Sequence, residues 1–583
     1  MTDDSFDTAR PPVLEESSTN RTYAGWMVGV LALVAAVACV ALRMLYSAHS
    51  VDIFIDEATY LKVSQSVSHG HFPTLYNLPF VFHPGFYFAV AGGLLNLVRI
   101  SGPLVNQILE LRWLSAVCSG LLVLVATALT WRAMSRTRAI RAAITAASFT
   151  MLLFCVDPYL ERFGSRVLLE PLAQPLIFLG WFFALGMLLE REGHAAATHA
   201  DRRALRRASN WLPAAVLTGL FFGLAITTKE VAFFSTIVPL AIGSIKRLKL
   251  FTKRFSLTAI LTAIAVYGCY VGWVVASGSL HKLWIAYHNL FKRSFGLEQI
   301  TGFNSAHAPR ISAVLAGNLR LDGPSYLLVA LGGLAALWLL WRRQGAQRAL
   351  GLYTTCAMAY FAFSALGGAF EEQLAFFALA PALLCLALVL GNLVVSTPSR
   401  LFIVAPLILA ITMISLAFSL NQRTLTDNTH ARLEAYMLRH YDNGGVIAVT
   451  SDSDFYVAND IDHGRTVPLR HLADIKHFHV SYVIIETKLT NQGYAFIGPE
   501  IYRWLKHNAT LVVSYKGYSA GELRLYKVKN TKPADPLAGF DWSKWLPSIQ
   551  ISPTATSSTP ATSSTTSTSP ATTSTTPAPA AAH

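Results

Sequence analysis

Twelve apolar runs follow one another through the first 420 residues of the chain, at 25–46, 84–98, 111–131, 142–156, 172–189, 211–227, 231–245, 256–276, 325–341, 350–366, 374–394 and 401–420. A helix crosses the hydrocarbon of a bilayer in about 20 residues, somewhat fewer where the membrane thins or the helix ends snorkel. The series therefore points to a polytopic α-helical membrane protein. Composition agrees: 53% of the 583 residues are apolar and 14% charged, too few charges to coat a soluble globule. The formal charge of +14 is no nucleic-acid signature, because Lys and Arg sit in short clusters between apolar runs, where positive-inside topology accounts for them.

The run at 84–98 is short. If all twelve runs cross, the basic clusters Arg132/Arg136/Arg138/Arg141, Arg202/Arg203/Arg206/Arg207, Lys246/Arg247/Lys249/Lys253/Arg254 and Arg342/Arg343/Arg348 share one side and the N-terminus lies opposite. If 84–98 lies along the outer interface instead, eleven helices remain, and the basic clusters and the N-terminus are all cytoplasmic. We adopt the second arrangement, since an interfacial helix beside an acidic loop helps to shape a site at the membrane surface. The expected organisation is a cytoplasmic tail at 1–24, a transmembrane part at 25–420, an outer α/β domain at 421–530, and a linker with a disordered tail at 531–583. The tail from Pro553 is nearly all Ser, Thr, Pro and Ala, a composition that buries too little apolar surface to fold. The first run lacks a small-residue cleavage site and reads as a retained helix. The six cysteines all fall inside apolar runs, which gives neither a disulfide framework nor a CxxC metal site.

In the outer α/β part, LEAYMLRHY and PEIYRWLKH read as helices, and VIAVTS, SYVIIE, TLVVSY and LRLYKV as strands. No GxGxxG or P-loop marks a nucleotide site.

Candidate chemistry lies in the outer loops. Asp56 and Glu57 open a helix-like segment straight after the first run, where a carboxylate is partly desolvated and available as a general base. The plainer reading is an N-cap and a first-turn acid. In DPYLERFGSRVLLEP, the charges Glu161, Arg162, Arg166 and Glu170 cluster beside a membrane and need partners or a ligand. Against that, Glu170-Pro171 fits an ordinary helix start and Arg166 with Glu170 an i,i+4 pair. Lys229 and Glu230 stand alone between two apolar runs, where Lys229 is either a snorkelling residue or a cation for a phosphate. His281, Lys282, Tyr287, His288, Lys292 and Arg293 form a basic, aromatic segment suited to phosphate or sugar.

Taken together, the DEATY acids after the first helix, the HPGFYF element, R-x3-E-P before a later helix and G-x-x-x-G-L-A-I-T-T-K resemble the GT-C membrane glycosyltransferases, most nearly the protein O-mannosyltransferase and aminoarabinose transferase type. The resemblance spans roughly residues 25–245 and extends to the general layout of spanning helices plus an outer α/β domain. It implies a polyprenyl-phosphate sugar donor, a glycan, lipid or protein acceptor, and a multi-pass location in the plasma membrane. By it, Asp56 would be the catalytic base with Glu57 beside it, Glu170 the second acidic position, Arg166 its basic neighbour and Lys229 the residue facing the carrier phosphate. His83, Tyr87, Lys292 and Arg293 complete the substrate-binding set. Members of the family often carry His-Pro-Pro or Lys-Pro where this chain has His83-Pro84-Gly85, and a neutral imidazole is a weaker phosphate partner than lysine. No cofactor is read. For a divalent cation the candidates are Asp56 and Glu170, although no dense His/Cys/Asp spacing demands one.

Two other classes compete. A transporter or flippase for a lipid-linked saccharide would use the same charges for coupling, but transporters place them near the bilayer midplane within internal repeats, and here they gather at outer helix ends without a repeat. A structural or receptor-like protein explains the C-terminus and leaves the ordered loop charges unexplained.

Overall fold

The computed structural model describes residues 18–529, apart from 50–52, 76–77, 135–138, 197–210, 295–310, 367–371, 426, 442–444, 463, 493–494 and 518–520. The Ser/Thr/Pro-rich tail, most of the N-terminal tail, Arg136, Arg138 and the cluster Arg202/Arg203/Arg206/Arg207 lie outside the described residues.

The chain begins with α1 (Ser18–His49), followed by α2 (Ile55–Ser68), a small hairpin of β1 (Thr74–Leu75) and β2 (Leu78–Pro79), and α3 (Phe86–Val98). At 1.5 Å per residue, α3 is about 20 Å long, too short to cross a bilayer of ordinary thickness. The long α4 (Leu104–Ala133) precedes α5 (Ile140–Val156) and α6 (Pro158–Gly164), which are bent by 55° against each other. Asp157 makes that bend: its Oδ1 accepts from Leu160 N–H at 2.9 Å, Pro158 fills the first helical position, and its Oδ2 accepts from the Ser325 hydroxyl at 2.8 Å.

Next come α7 (Glu170–Ala196), α8 (Trp211–Thr228), a 3-10 turn (Glu230–Ala232), α9 (Phe233–Gly243), α10 (Lys253–Ala276) and α11 (Leu280–Ser294). Four further long helices complete the bundle: α12 (Ile311–Arg342), α13 (Gly345–Leu366), α14 (Ala375–Ser396) and α15 (Leu401–Thr424). Among the described residues nine helices are long and apolar enough to cross a membrane, and α5 with α6 makes a tenth if the bent pair is one span. The eleventh expected span, at 231–245, is the short apolar stretch Glu230–Gly243. At about 21 Å it reaches across only where the bilayer thins.

Helix packing uses small residues. Gly219 and Gly223, four apart on α8, face α10; a Cβ on Gly223 would lie 2.7 Å from the Val266 Cβ, and one on Gly219 would run into the Ala259 carbonyl oxygen. Such a stripe lets two backbones approach where no side chain fits between them.

After α15 the chain folds into α16 (Thr429–His440), β3 (Val446–Val449), α17 (Asp452–Ile461), β4 (Val467–Pro468), α18 (Leu472–His477), β5 (Val480–Glu486), α19 (Thr487–Gln492), α20 (Glu500–Asn508), β6 (Ala509–Gly517) and β7 (Gly521–Val528). The five strands form one mixed sheet in the order β4-β3-β5-β7-β6, with β3 parallel to both β4 and β5 and the other pairs antiparallel. All four residues of β3 are buried, as a strand flanked by parallel neighbours and covered on both faces requires. Val446, Ala448, Val483 and Ile485 pack with Ile501 and Leu505 of α20 on one face. Ile447, Val449 and Ile484 on the other face join Leu433, Phe455 and Tyr456, in a core continuous with that of the spanning helices.

Candidate active site

Glu57 anchors the first turn of α2. Its carboxylate is fully buried and accepts a bidentate pair from Arg112 on α4, Nε to Oε1 at 2.8 Å and Nη2 to Oε2 at 2.7 Å. The same two oxygens accept the backbone N–H of Val167 (2.9 Å) and of Phe54 (3.1 Å). Glu57 therefore ties together the start of α2, the third turn of α4 and the segment between α6 and α7. With both oxygens committed, it is fixed in place rather than open to a substrate. Asp56, its neighbour, is only partly buried.

The charges of the segment 157–170 divide into two sets. Glu161 pairs with Arg423 of α15, whose Nε donates at 3.0 Å, and accepts from the Ser419 hydroxyl; Arg162 meets Asp322 of α12 at 3.1 Å. These pairs fasten helices. Arg166 and Glu170 meet other partners. The Arg166 guanidinium lies over the Phe54 ring, 5.7 Å from its centroid, and the Glu170 carboxylate takes the Lys229 ammonium at 3.2 Å, both residues being buried. Lys229 sits at the break between α8 and the 3-10 turn, and the next residue, Glu230, lies with its Oε1 3.3 Å from His83 Nδ1. The His83 ring stands edge-on to Tyr60 of α2 at 5.8 Å.

Tyr87, on the first turn of α3, is wholly buried beside Tyr60, with ring centroids 6.1 Å apart. Among the described residues its hydroxyl meets no hydrogen-bond partner, and it lies within electrostatic reach of Glu57 and Glu170. The departure from a second proline at Gly85 has a steric counterpart: a Cβ there would lie 2.8 Å from the Trp273 ring of α10. From the basic, aromatic segment, Tyr287 on α11 joins its hydroxyl to that of Tyr267 at 2.6 Å, within electrostatic reach of Glu230. Lys292 is half-buried on the last turn of α11, and the Arg293 side chain lies outside the described residues. Among the described residues, neither Asp56 nor Glu170 belongs to a cluster of three or more metal-ligand side chains.

Segments from four parts of the chain thus meet around the first turn of α2. Acids from one segment face bases from another inside a largely buried cluster, an arrangement able to hold an anion and move a proton. Sequence reasoning missed Arg112, which fixes Glu57, and Arg43, which donates to the Phe154 and Cys155 carbonyls at the end of α5 at 3.0 and 3.2 Å. Each is a lone arginine within or at the edge of an apolar run, a placement that by itself calls for a buried partner.

No protein-family model and no curated protein matches the sequence. The structure is similar to ArnT from Cupriavidus metallidurans bound to undecaprenyl phosphate, with a TM-score of 0.52 at 13% identity, covering 89% of this chain and all of that one. It is also similar to the Archaeoglobus fulgidus oligosaccharyltransferase in complex with Zn and sulfate, with a TM-score of 0.51 at 14% identity over 84% of this chain and 72% of that one. The same oligosaccharyltransferase tethered to an acceptor peptide gives a TM-score of 0.50 at 13% identity over 88% and 75%. The chain has the fold of these GT-C membrane glycosyltransferases.

Proposed function

We propose that the chain is a multi-pass enzyme of the plasma membrane, N-terminus cytoplasmic and α/β region outside, that transfers a hexose or pentose from a polyprenyl-phosphate carrier to an acceptor hydroxyl on the outer face. The observation that carries this reading is the convergence of Glu57, Arg166, Glu170, Lys229 and His83 from separate segments around the helix start that bears Asp56. The outer face has no supply of cytoplasmic nucleotide sugars, so a donor already carried across on a lipid phosphate fits the site's location.

In the reaction the acceptor oxygen bonds to the anomeric carbon and gives its proton to Asp56. The bond from that carbon to the phosphate oxygen breaks, and the lipid phosphate leaves with the electron pair, stabilised by Lys229 and Arg166. A phosphate entering the site competes with Glu170 for the Lys229 ammonium, which keeps the cation oriented before the donor arrives. Glu57 acts as a positioning residue that holds Asp56 through the first turn of α2. Single displacement inverts the anomeric centre.

The test is Asp56→Asn in membrane vesicles supplied with polyprenyl-phosphate sugars. Loss of general-base catalysis costs on the order of a hundredfold or more in rate. Transfer near the wild-type rate at normal protein abundance removes Asp56 from the base role.

A further inference from the structure

Away from the proposed transfer site, three buried side chains from three elements of the α/β region point at one another: His430 on the first turn of α16, Asp454 on the first turn of α17, and Glu486 at the end of β5. One ring nitrogen and two carboxylate oxygens lie within 4.8 Å of one another. Among the described residues, both ring nitrogens of His430, both carboxylate oxygens of Asp454 and Oε2 of Glu486 are buried without a hydrogen bond of normal geometry. His430 Nε2 lies 3.2 Å from Asp454 Oδ1. Buried polar atoms are almost always satisfied, so three such atoms, one from each residue, gathered within 4.8 Å need a ligand or a proton to explain them.

The charge count favours a ligand. Asp427 also acts electrostatically on His430 and Glu486, and Glu434 stands one turn beyond His430, so several acids surround a single imidazole. A protonated histidine offsets one negative charge, whereas a divalent ion offsets two and gives the orphaned donor atoms a common partner. One imidazole nitrogen with two carboxylates suits zinc or manganese better than calcium or magnesium, which prefer all-oxygen shells.

We propose that His430, Asp454 and Glu486 bind a divalent transition-metal ion, zinc or manganese, that pins α16, α17 and β5 together at a structural site separate from the sugar-transfer centre. Asp454 shares its helix with Tyr456, whose hydroxyl accepts from Thr59 at 2.8 Å, and with Asp460, which pairs with Lys62 at 2.6 Å. Both partners lie on α2, so the ion also steadies the element on which α2 rests.

The experiment uses the full-length protein in detergent, stripped with a chelator, dialysed against zinc or manganese and then against buffer. About one ion per chain is expected, with a raised unfolding midpoint on loading; pulsed EPR of the manganese form should detect one directly bound nitrogen. His430→Gln and Glu486→Gln should retain less than a tenth of the ion, and Asp56→Asn all of it. Wild-type protein that holds neither metal, or manganese bound without a nitrogen, overturns the proposal and leaves an imidazolium–carboxylate pair. The EPR arm needs only wild-type protein, so a variant that fails to fold does not leave the question open.

Discussion

Arg112 and Glu57 are 1% and 0% exposed and bonded through two parallel contacts. Removing one member of such a pair leaves the other charge buried alone, at a cost of about 3–5 kcal/mol, whereas replacing both with apolar residues of similar volume is often neutral. Arg112→Met should therefore lower the unfolding midpoint sharply, and Arg112→Met with Glu57→Leu should recover only part of the loss, because the Val167 and Phe54 N–H groups then lose their acceptor, while leaving α2 mispositioned for the proposed transfer. Thermal unfolding in detergent checks the first half and a transfer assay the second; an additive double mutant would mean the pair is not coupled. The adjacent acids were legible as a pair from their place after the first helix, but their division of labour was not, because it is set by a partner 55 residues away. Burial also acts on Asp462 at the end of α17, raising its carboxyl to about 6, with Arg465 N–H bonding at 2.9 Å only partly offsetting it. The folded pKa lies above the unfolded one of about 3.9, so the folded state holds the extra proton between the two values and stability falls as pH rises from about 4 to about 6. Asp462→Asn should make that part of the unfolding-midpoint profile less steep, with Glu434, which burial raises to about 7, still contributing to it; an unchanged slope would mean that Asp462 does not titrate there.

At the scale of elements, hydropathy located the spanning helices because each must bury or expose a whole apolar length, and short apolar or alternating runs located the sheet's four longer strands. β4 escaped, since two residues carry no pattern and Val467–Pro468 is a strand only by pairing with β3. The close contact of α8 and α10 was equally hidden: G-x-x-x-G is visible in the sequence, but the helix it faces is not. Inserting a methyl where the neighbour is backbone forces a shift that side-chain rotation cannot relieve. Gly219→Ala, directed at the Ala259 carbonyl, should cost about 1–3 kcal/mol in the range typical of overpacking. Gly268, which has open space around its missing Cβ, is the control position, where Ala should leave the unfolding midpoint unchanged or raise it. Equal effects at the two positions would contradict the packing argument.

At the scale of the whole molecule, the α/β region is seated on the helix that opens with Asp56. Besides the Tyr456 and Asp460 contacts to α2, Glu434 of α16 accepts the Val105 N–H at the start of α4 at 3.3 Å. Nothing in the local sequence of either part encodes this seating, because its partners lie 329 to 398 positions apart. Its consequence for the proposed transfer is positional: a helix held at its first turn and again at its middle presents that first turn in one place, and an error of about an ångström at a reacting group is enough to slow a reaction substantially. Two ordinary hydrogen bonds together contribute roughly 1–3 kcal/mol. If that energy serves to place α2, Tyr456→Phe combined with Asp460→Asn should reduce the rate at saturating donor by about 5- to 100-fold while the donor KM changes little, since the proposed phosphate contacts are on other elements. Reversing the ion pair, with Lys62→Asp and Asp460→Lys together, should restore most of the activity lost by Asp460→Lys alone. A loss expressed only in donor KM, or no rescue by the reversal, would show that the α/β region does not act through α2.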